Sequence, residues 1–190
     1  MRTRISGVYM RSSWGVRAAR PRTDCCTRIT TAGRTHRPEG EAMQVSELVE
    51  KRGCELYSIG PDQTVAELIE ALNEKHVGAL VVVGPDDRLL GIVSERAVLR
   101  SAYDPGRKVV DCSKKVSDIM RKRDDMPTVT MTTRLNEVLE LMHSGRTRHM
   151  VVVDEQDRAI TCVSVRDIVE RLLEAAESEN RELQNFMYGY

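Results

Sequence analysis

Two short clusters hold the side chains of this chain best suited to chemistry. Ser164-Val165-Arg166-Asp167 places a hydroxyl and a carboxylate three residues apart. A strand ends and a helix opens at Ser164, so unpaired backbone N–H groups and the positive end of the helix dipole face outward, a natural seat for phosphate. Asp167, in the first helical turn, only accepts hydrogen bonds when ionised and suits the paired hydroxyls of a ribose. Arg148-His149, joined by Arg166, supplies cations able to neutralise a phosphate. Each cluster also has a plainer reading. Ser164-x-x-Asp167 has the form of a capping box, in which the acid satisfies the cap's own backbone N–H. Arg148 and His149 equally suit a solvated strand end.

This chemistry is recognition rather than turnover. The four histidines, His36, His76, His143 and His149, pair with no Ser or Cys in a nucleophile arrangement. No Gly-rich phosphate loop of the P-loop type and no metal-ligand cluster is present, so we expect neither an enzyme nor a metal site. Cys25, Cys26, Cys54, Cys112 and Cys162 show no Cys-x-x-Cys or zinc-type spacing. Their odd number and scatter suit reduced thiols and a cytoplasmic location. A redox or metal role for Cys54 and Cys112, each in a lead-in segment, is the competing reading.

A duplication must position these residues. Residues 58–103 lie over 128–173 without a gap, at a constant offset of 70 (128 − 58). Glu67-Leu68-Ile69-Glu70 falls on Glu137-Val138-Leu139-Glu140, Val81-Val82-Val83 on Val151-Val152-Val153, and Ser94-Glu95-Arg96 on Ser164-Val165-Arg166. The lead-in Val45-Ser46-Glu47-Leu48 matches Val116-Ser117-Asp118-Ile119 one residue out of phase. A unit of this size leaves an apolar face uncovered until its copy packs on it, so two copies form one pseudo-twofold body with related clefts between the halves.

Local signals predict the elements of each unit. In repeat one these are a helix over 43–51, a strand over 56–59, a helix over 64–75 and strands over 79–83 and 89–93. A second helix follows from 94 to about 102. Thr64 with Glu67 forms a capping box, and Val65, Leu68, Ile69 and Leu72 recur at helical spacing. Ala79–Val83 is apolar throughout, which predicts a strand buried on both faces. Gly84-Pro85-Asp86-Asp87 reads as a turn, and 103–115, with Asp104-Pro105-Gly106, as a linker. Repeat two reads as helix 116–123, strand 127–130, helix 133–143, strands 149–153 and 159–163, and helix 165–180.

Charge divides the 190 residues in two. Residues 1–42 hold nine Arg against three acids (+6), and 43–190 hold 20 basic against 26 acidic groups (−6). An acidic folded body argues against nucleic-acid binding, which needs clustered Lys and Arg. No apolar run approaches the ~18–20 residues that span a bilayer. The Arg-rich stretch 1–42 lacks apolar periodicity and is expected to be a disordered tail. It also reads as an organellar transit peptide, as a tail with its own binding role, or as an incidental extension before Met43.

Strand, helix, strand, strand, helix in tandem resembles the cystathionine beta-synthase (CBS) domain family. The resemblance is carried by Gly91-Ile92-Val93-Ser94-Glu95-Arg96 and Val163-Ser164-Val165-Arg166-Asp167-Ile168. It covers 43–175, the extent of small stand-alone proteins made of one CBS pair. It implies an α/β (α+β) fold of two β-α-β-β-α motifs packed sheet to sheet: repeat one over 43–111, repeat two over 112–180, and a tail over 181–190. It further implies a regulatory module that binds AMP, ADP, ATP or S-adenosylmethionine in an interrepeat cleft and acts on partners in trans. A purely structural or partner-binding pair is the alternative. No cofactor is required; an adenine nucleotide would be the regulatory ligand.

By the same resemblance Cys162, with Tyr57, Val77 and Gly78 from repeat one, lines the base pocket. The two halves differ, because Ala97 stands where repeat two has Asp167 and offers no acceptor for a ribose. Thr161 replaces Gly91, and neither repeat carries the Pro that many members place before the Val run. A weaker second cleft would use Gly78, Ala79, Ile92, Ser94 and Arg96 with Thr147. Apolar helix faces such as Val138, Leu141 and Met142 point to a homodimer. Phe186, Tyr188 and Tyr190 would dock on the neighbouring chain.

Overall fold

The computed structural model describes residues 17–19, 42–85 and 88–188, with backbone alone for 17–19 and 188. Repeat one is built from α1 (Val45–Arg52), β2 (Leu56–Ile59), α2 (Val65–Lys75), β3 (Ala79–Val83), β4 (Leu89–Ser94) and the short α3 (Glu95–Ala97). Repeat two runs through α4 (Val116–Ile119), β7 (Arg121–Lys122), β8 (Thr128–Val129), α5 (Leu135–Ser144), β9 (His149–Val153), β10 (Ala159–Ser164) and α6 (Val165–Tyr188). A hairpin of β5 (Tyr103–Asp104) and β6 (Val109–Val110) joins them.

The two sheets repeat one another. β2 pairs parallel with β3, and β3 antiparallel with β4; β8, β9 and β10 follow the same rule. Both antiparallel pairs carry a register shift at the matching place, between Val82 and Val83 and between Ala159 and Thr161. A layer of Leu56, Ala79, Val81, Leu89 and Ile92 meets Met126, Val151 and Val153 where the sheets face each other. Burying this shared layer on both sides makes one body of two repeats. As the unbroken apolar run implied, β3 is buried from Ala79 to Val82.

Each repeat covers the other with its lead-in segment. Val45, Leu48 and Val49 of α1 are buried in the core of repeat two, among Leu135, Val138, Met150 and Ile168. Val116 and Ile119 of α4 are buried in the core of repeat one, among Val65, Leu68 and Leu80. The backbone seals both exchanges identically. Val45 N–H donates to Thr133 O (3.0 Å) and Leu135 N–H to Met43 O (2.8 Å). Val116 N–H donates to Gln63 O (2.8 Å) and Val65 N–H to Lys114 O (2.8 Å). Neither repeat is complete without the other's lead-in.

Four departures from the expected elements have local causes. The helix expected over 116–123 stops at Ile119, because Arg121 and Lys122 pair as a strand with Gly91 and Ile92. Gly91 permits this: a Cβ there would lie 2.2 Å from Arg121 O. The helix expected over 94–102 is α3 plus one π turn, Val98–Ala102. Ser94 makes no side-chain cap, and Asp104-Pro105-Gly106 turns the chain into the hairpin found inside the expected linker. No Pro or Gly interrupts the last helix before Gly189, so α6 runs through most of the expected tail to Tyr188. Finally β1 (Arg17–Ala19), inside the stretch expected to be disordered, pairs antiparallel with Leu56–Ser58 at the free edge of β2. An open edge accepts such a strand from backbone groups alone. The rest of 1–41, Asp86-Asp87 of the turn, Gly189 and Tyr190 lie outside the described residues.

Candidate functional site

The C-terminal ends of β4 and β10 and the lead-ins to β3 and β9 open on one cavity of about 1290 Å³. Sequence reasoning separated a principal and a weaker cleft; both sets of residues line this single space. Tyr57, Cys162, Ser164, Arg166 and Asp167 of the first set line it, and so do Ala79, Ile92, Ser94 and Arg96 of the second, with Ala97. Val77, Gly78, Thr147, Arg148 and His149 also line it.

The end of β10 forces the geometry around Asp167. Ser164 N–H (2.9 Å) and Ser164 Oγ (2.8 Å) both donate to Asp167 Oδ2, and Asp167 N–H donates back to Ser164 Oγ at 3.3 Å. The capping box is therefore real. It leaves half of the carboxylate free, because no described residue donates to Oδ1. Capping the helix and accepting from a ligand are compatible roles for one side chain, each using its own oxygen. Burial pushes the Asp167 carboxyl up, but the Ser164 N–H and hydroxyl and the Arg52 guanidinium outweigh it and hold the group below its ordinary range.

Arg52 is the residue sequence reasoning missed. It ends α1, the lead-in helix that crosses to repeat two, and its guanidinium spans three acceptors. Nη1 donates to Asp167 Oδ2 at 2.6 Å, and Nη2 to Thr161 Oγ1 (3.1 Å) and Cys162 O (2.9 Å). Thr161 Oγ1 itself donates to Glu55 O at 2.9 Å. The substitution of Gly91 by Thr161 thus has a structural purpose: repeat one pairs a strand at Gly91, whereas repeat two anchors the lead-in segment through a hydroxyl. The exchange of lead-ins is a tertiary event, and nothing local to Lys51-Arg52-Gly53 signals it.

Other side chains shape the remaining walls. Tyr57 donates to Glu55 at 2.5 Å, and that bond holds its phenol protonated above the ordinary range. Burial pushes the Cys162 thiol up to about 12, so it acts as an apolar wall and not as a thiolate. Gly78 makes room for the His149 ring, since a Cβ there would lie 3.3 Å from Cε1. Burial first, and Arg148 second, lower the His149 pKa and keep the imidazole neutral near pH 7. The positive charge comes instead from Arg and Lys. Arg52, Lys75, Arg96, Arg100, Arg121, Arg146, Arg148 and Arg166 line the cavity against Glu55, Glu95 and Asp167. Eight cations against three acids, in a body whose residues 43–190 sum to −6, concentrate positive charge in this cleft. Among the described residues no cluster of His, Cys, Asp and Glu is placed to hold a metal. No helix among them is long and apolar enough to cross a membrane.

Two interlocked repeats around a shared cationic cavity define a paired-repeat cleft module. The family model for the CBS domain matches residues 45–104 and 116–174, and the chain belongs to that family as a tandem pair. It is 34% identical over 130 residues to the Arabidopsis thaliana CBS domain-containing protein CBSX3, mitochondrial, covering 67% of this chain and 62% of the relative. It is 32% identical over 117 residues to inosine-5'-monophosphate dehydrogenase of Methanocaldococcus jannaschii, of which it spans only 22%. Among solved structures, a CBS-domain protein of Agrobacterium tumefaciens superposes with a TM-score of 0.62 at 27% identity, over 72% of this chain and 98% of that one. A structure of CBSX2 in complex with AMP superposes with a TM-score of 0.54 at 25% identity, over 64% and 90%.

Proposed function

We propose that this chain is a regulatory module that binds an adenosine-containing nucleotide in the interrepeat cavity and acts on partner proteins in trans. The observation that carries the reading is the Asp167 carboxylate. One oxygen is fixed by the helix cap and by Arg52, and the other takes no hydrogen bond from a described residue, in a cavity that Arg148 and Arg166 also line. That arrangement suits a ribose hydroxyl on Oδ1 and a phosphate at the nearby guanidinium groups and helix start. The AMP complex of CBSX2, a relative in fold and sequence, supports the ligand class. The surplus of cations favours AMP, ADP and ATP over S-adenosylmethionine, whose sulfonium carries the same sign as the lining.

Calorimetric titration of the protein with AMP, ATP and S-adenosylmethionine tests this. The reading predicts saturable one-to-one binding of the phosphorylated ligands with strong salt dependence. Absence of binding and of any nucleotide effect on melting would overturn it. One observation favours the second reading, a pair that serves only as a structural or partner-binding unit: Arg52 already satisfies Asp167 Oδ2 without a ligand. The same titration separates the two.

A further inference from the structure

Along α6 runs a further apolar feature, of which only Val169 also lines the cavity. The inner face of α6, Val165, Ile168, Leu172 and Ala175, packs on the core of repeat two. From Ala176 to Met187 every residue is exposed, so half of a 24-residue helix stands clear of the body. A free helical stretch of this length is marginal in water by itself, and helices in proteins are held chiefly by packing an apolar face.

Such a face is present and lacks cover. Val169, Leu173, Ala176, Asn180, Leu183 and Met187 recur at alternating steps of four and three, the spacing of a two-stranded coiled coil rather than of a straight helix on a core. Val169 is 42% exposed, Leu173 and Leu183 59%, and Met187 69%. In this register Leu173, Asn180 and Met187 occupy one core position, and Val169, Ala176 and Leu183 the other. Asn180 is the single polar residue in the seam. A lone core Asn is the device by which paired helices set register and partner number, since two copies satisfy each other's amides.

The flanking charges choose the direction. With two copies parallel, the position opposite Glu177 is Leu172, which packs on its own repeat, and Glu179 faces Gln184, so no acid meets an acid. With two copies antiparallel, Glu177 meets its own copy across the axis, and so does Glu179. Only the parallel pairing avoids like charges at the centre. The geometry points to a second copy of this chain as the partner of the outward face of α6, the two helices lying parallel with Asn180 against Asn180.

The test uses the full chain. Sedimentation and light scattering over a concentration series should show a mass that halves when Leu183→Glu and Met187→Glu are combined. Both side chains are exposed in the single chain, so the melting curve of the variant body should hold its midpoint at high dilution. Under mild oxidation, Asn180→Cys alone should cross-link to itself far faster than the parent's own cysteines. An equal mixture of Ala176→Cys and Asn180→Cys should yield the 180–180 product in preference to 176–180. A double Glu variant with unchanged mass would overturn the proposal, as would a parent at 21.5 kDa throughout, or a dominant 176–180 cross-link.

Discussion

Arg52 Nη1 sits 2.6 Å from Asp167 Oδ2, although 115 residues separate them in sequence. The contact joins the end of the lead-in helix of repeat one to the first turn of the last helix of repeat two. Its side chains are 30% and 24% exposed, so the pair is screened less than a surface ion pair and more than a buried one. Any ligand that reaches Asp167 therefore also meets the clamp that holds α1 in place.

The two partners should respond differently to substitution. Asp167→Ala removes the open Oδ1 acceptor together with the cap. A charge-assisted hydrogen bond is worth about 1.5–3 kcal/mol, so nucleotide affinity should fall roughly ten- to a hundredfold. Loss of the cap should lower ligand-free stability by about 1 kcal/mol. Arg52→Ala breaks three hydrogen bonds but leaves Oδ1 in place; it should cost about 1–2 kcal/mol of stability while nucleotide still raises the melting temperature. Melting and calorimetry on both variants check this. An Asp167→Ala protein that binds AMP as tightly as the parent would refute the role given to that carboxylate.

Gly91 and Thr161 occupy equivalent positions yet should not tolerate each other's residue. A Cβ at position 91 would lie 2.2 Å from Arg121 O, a backbone atom that cannot yield without breaking the β4–β7 pairing. Gly91→Ala should therefore destabilise by about 2 kcal/mol or more. Thr161→Gly should also destabilise, through the lost bonds to Glu55 O and Arg52. Denaturant unfolding measures both, and a neutral Gly91→Ala would show that β7 is dispensable.

The exchanged lead-ins make a sharper truncation prediction than composition alone allows. Of the described residues, a chain beginning at Met43 loses Ala42 and β1, three residues paired at an edge, and should melt within a few degrees of the full chain. A chain beginning at Gly53 also loses Val45, Leu48 and Val49, which are between 0% and 4% exposed in the core of repeat two. That cavity should abolish cooperative melting at ordinary temperatures. Thermal melts of the two truncated chains decide the matter.

The sequence made the repeat legible because its signals are local and occur twice. The Thr64–Glu67 box, the Val runs and the 70-residue offset each correspond to an observed element, and every proposed lining residue faces the cavity. What stayed hidden depends on distant partners. Arg121-Lys122 reads as helix until Gly91 offers its strand edge, and Arg52 reads as a solvated helix end until α1 crosses to repeat two. The contest between cap and ligand for Asp167 also needed geometry, because only coordinates distinguish Oδ1 from Oδ2.

His149 should make both stability and binding depend on pH, in opposite directions. Its ring packs on Gly78, with Glu95 close by, and burial followed by Arg148 lowers its pKa below the ordinary 6.5. Asp167 and Glu95 oppose the shift without reversing it. In the unfolded chain the imidazole takes up its proton as pH falls through about 6.5, while the folded protein resists until lower pH. The contribution of His149 to stability is thus fully present above the unfolded value and is lost as pH falls through the folded one. The depressed carboxyl of Asp167 acts in the same direction, but its window opens only below about 4. Melting temperature should therefore decline between pH 7 and 5.5, and His149→Asn should flatten that decline. A phosphate bound beside Arg148 would favour the protonated ring, so nucleotide affinity should rise over the same interval, with proton uptake on binding. Calorimetry in buffers of different ionisation enthalpy reads that uptake directly. If the His149→Asn variant takes up as many protons as the parent on binding ATP, the linkage lies elsewhere in the cleft.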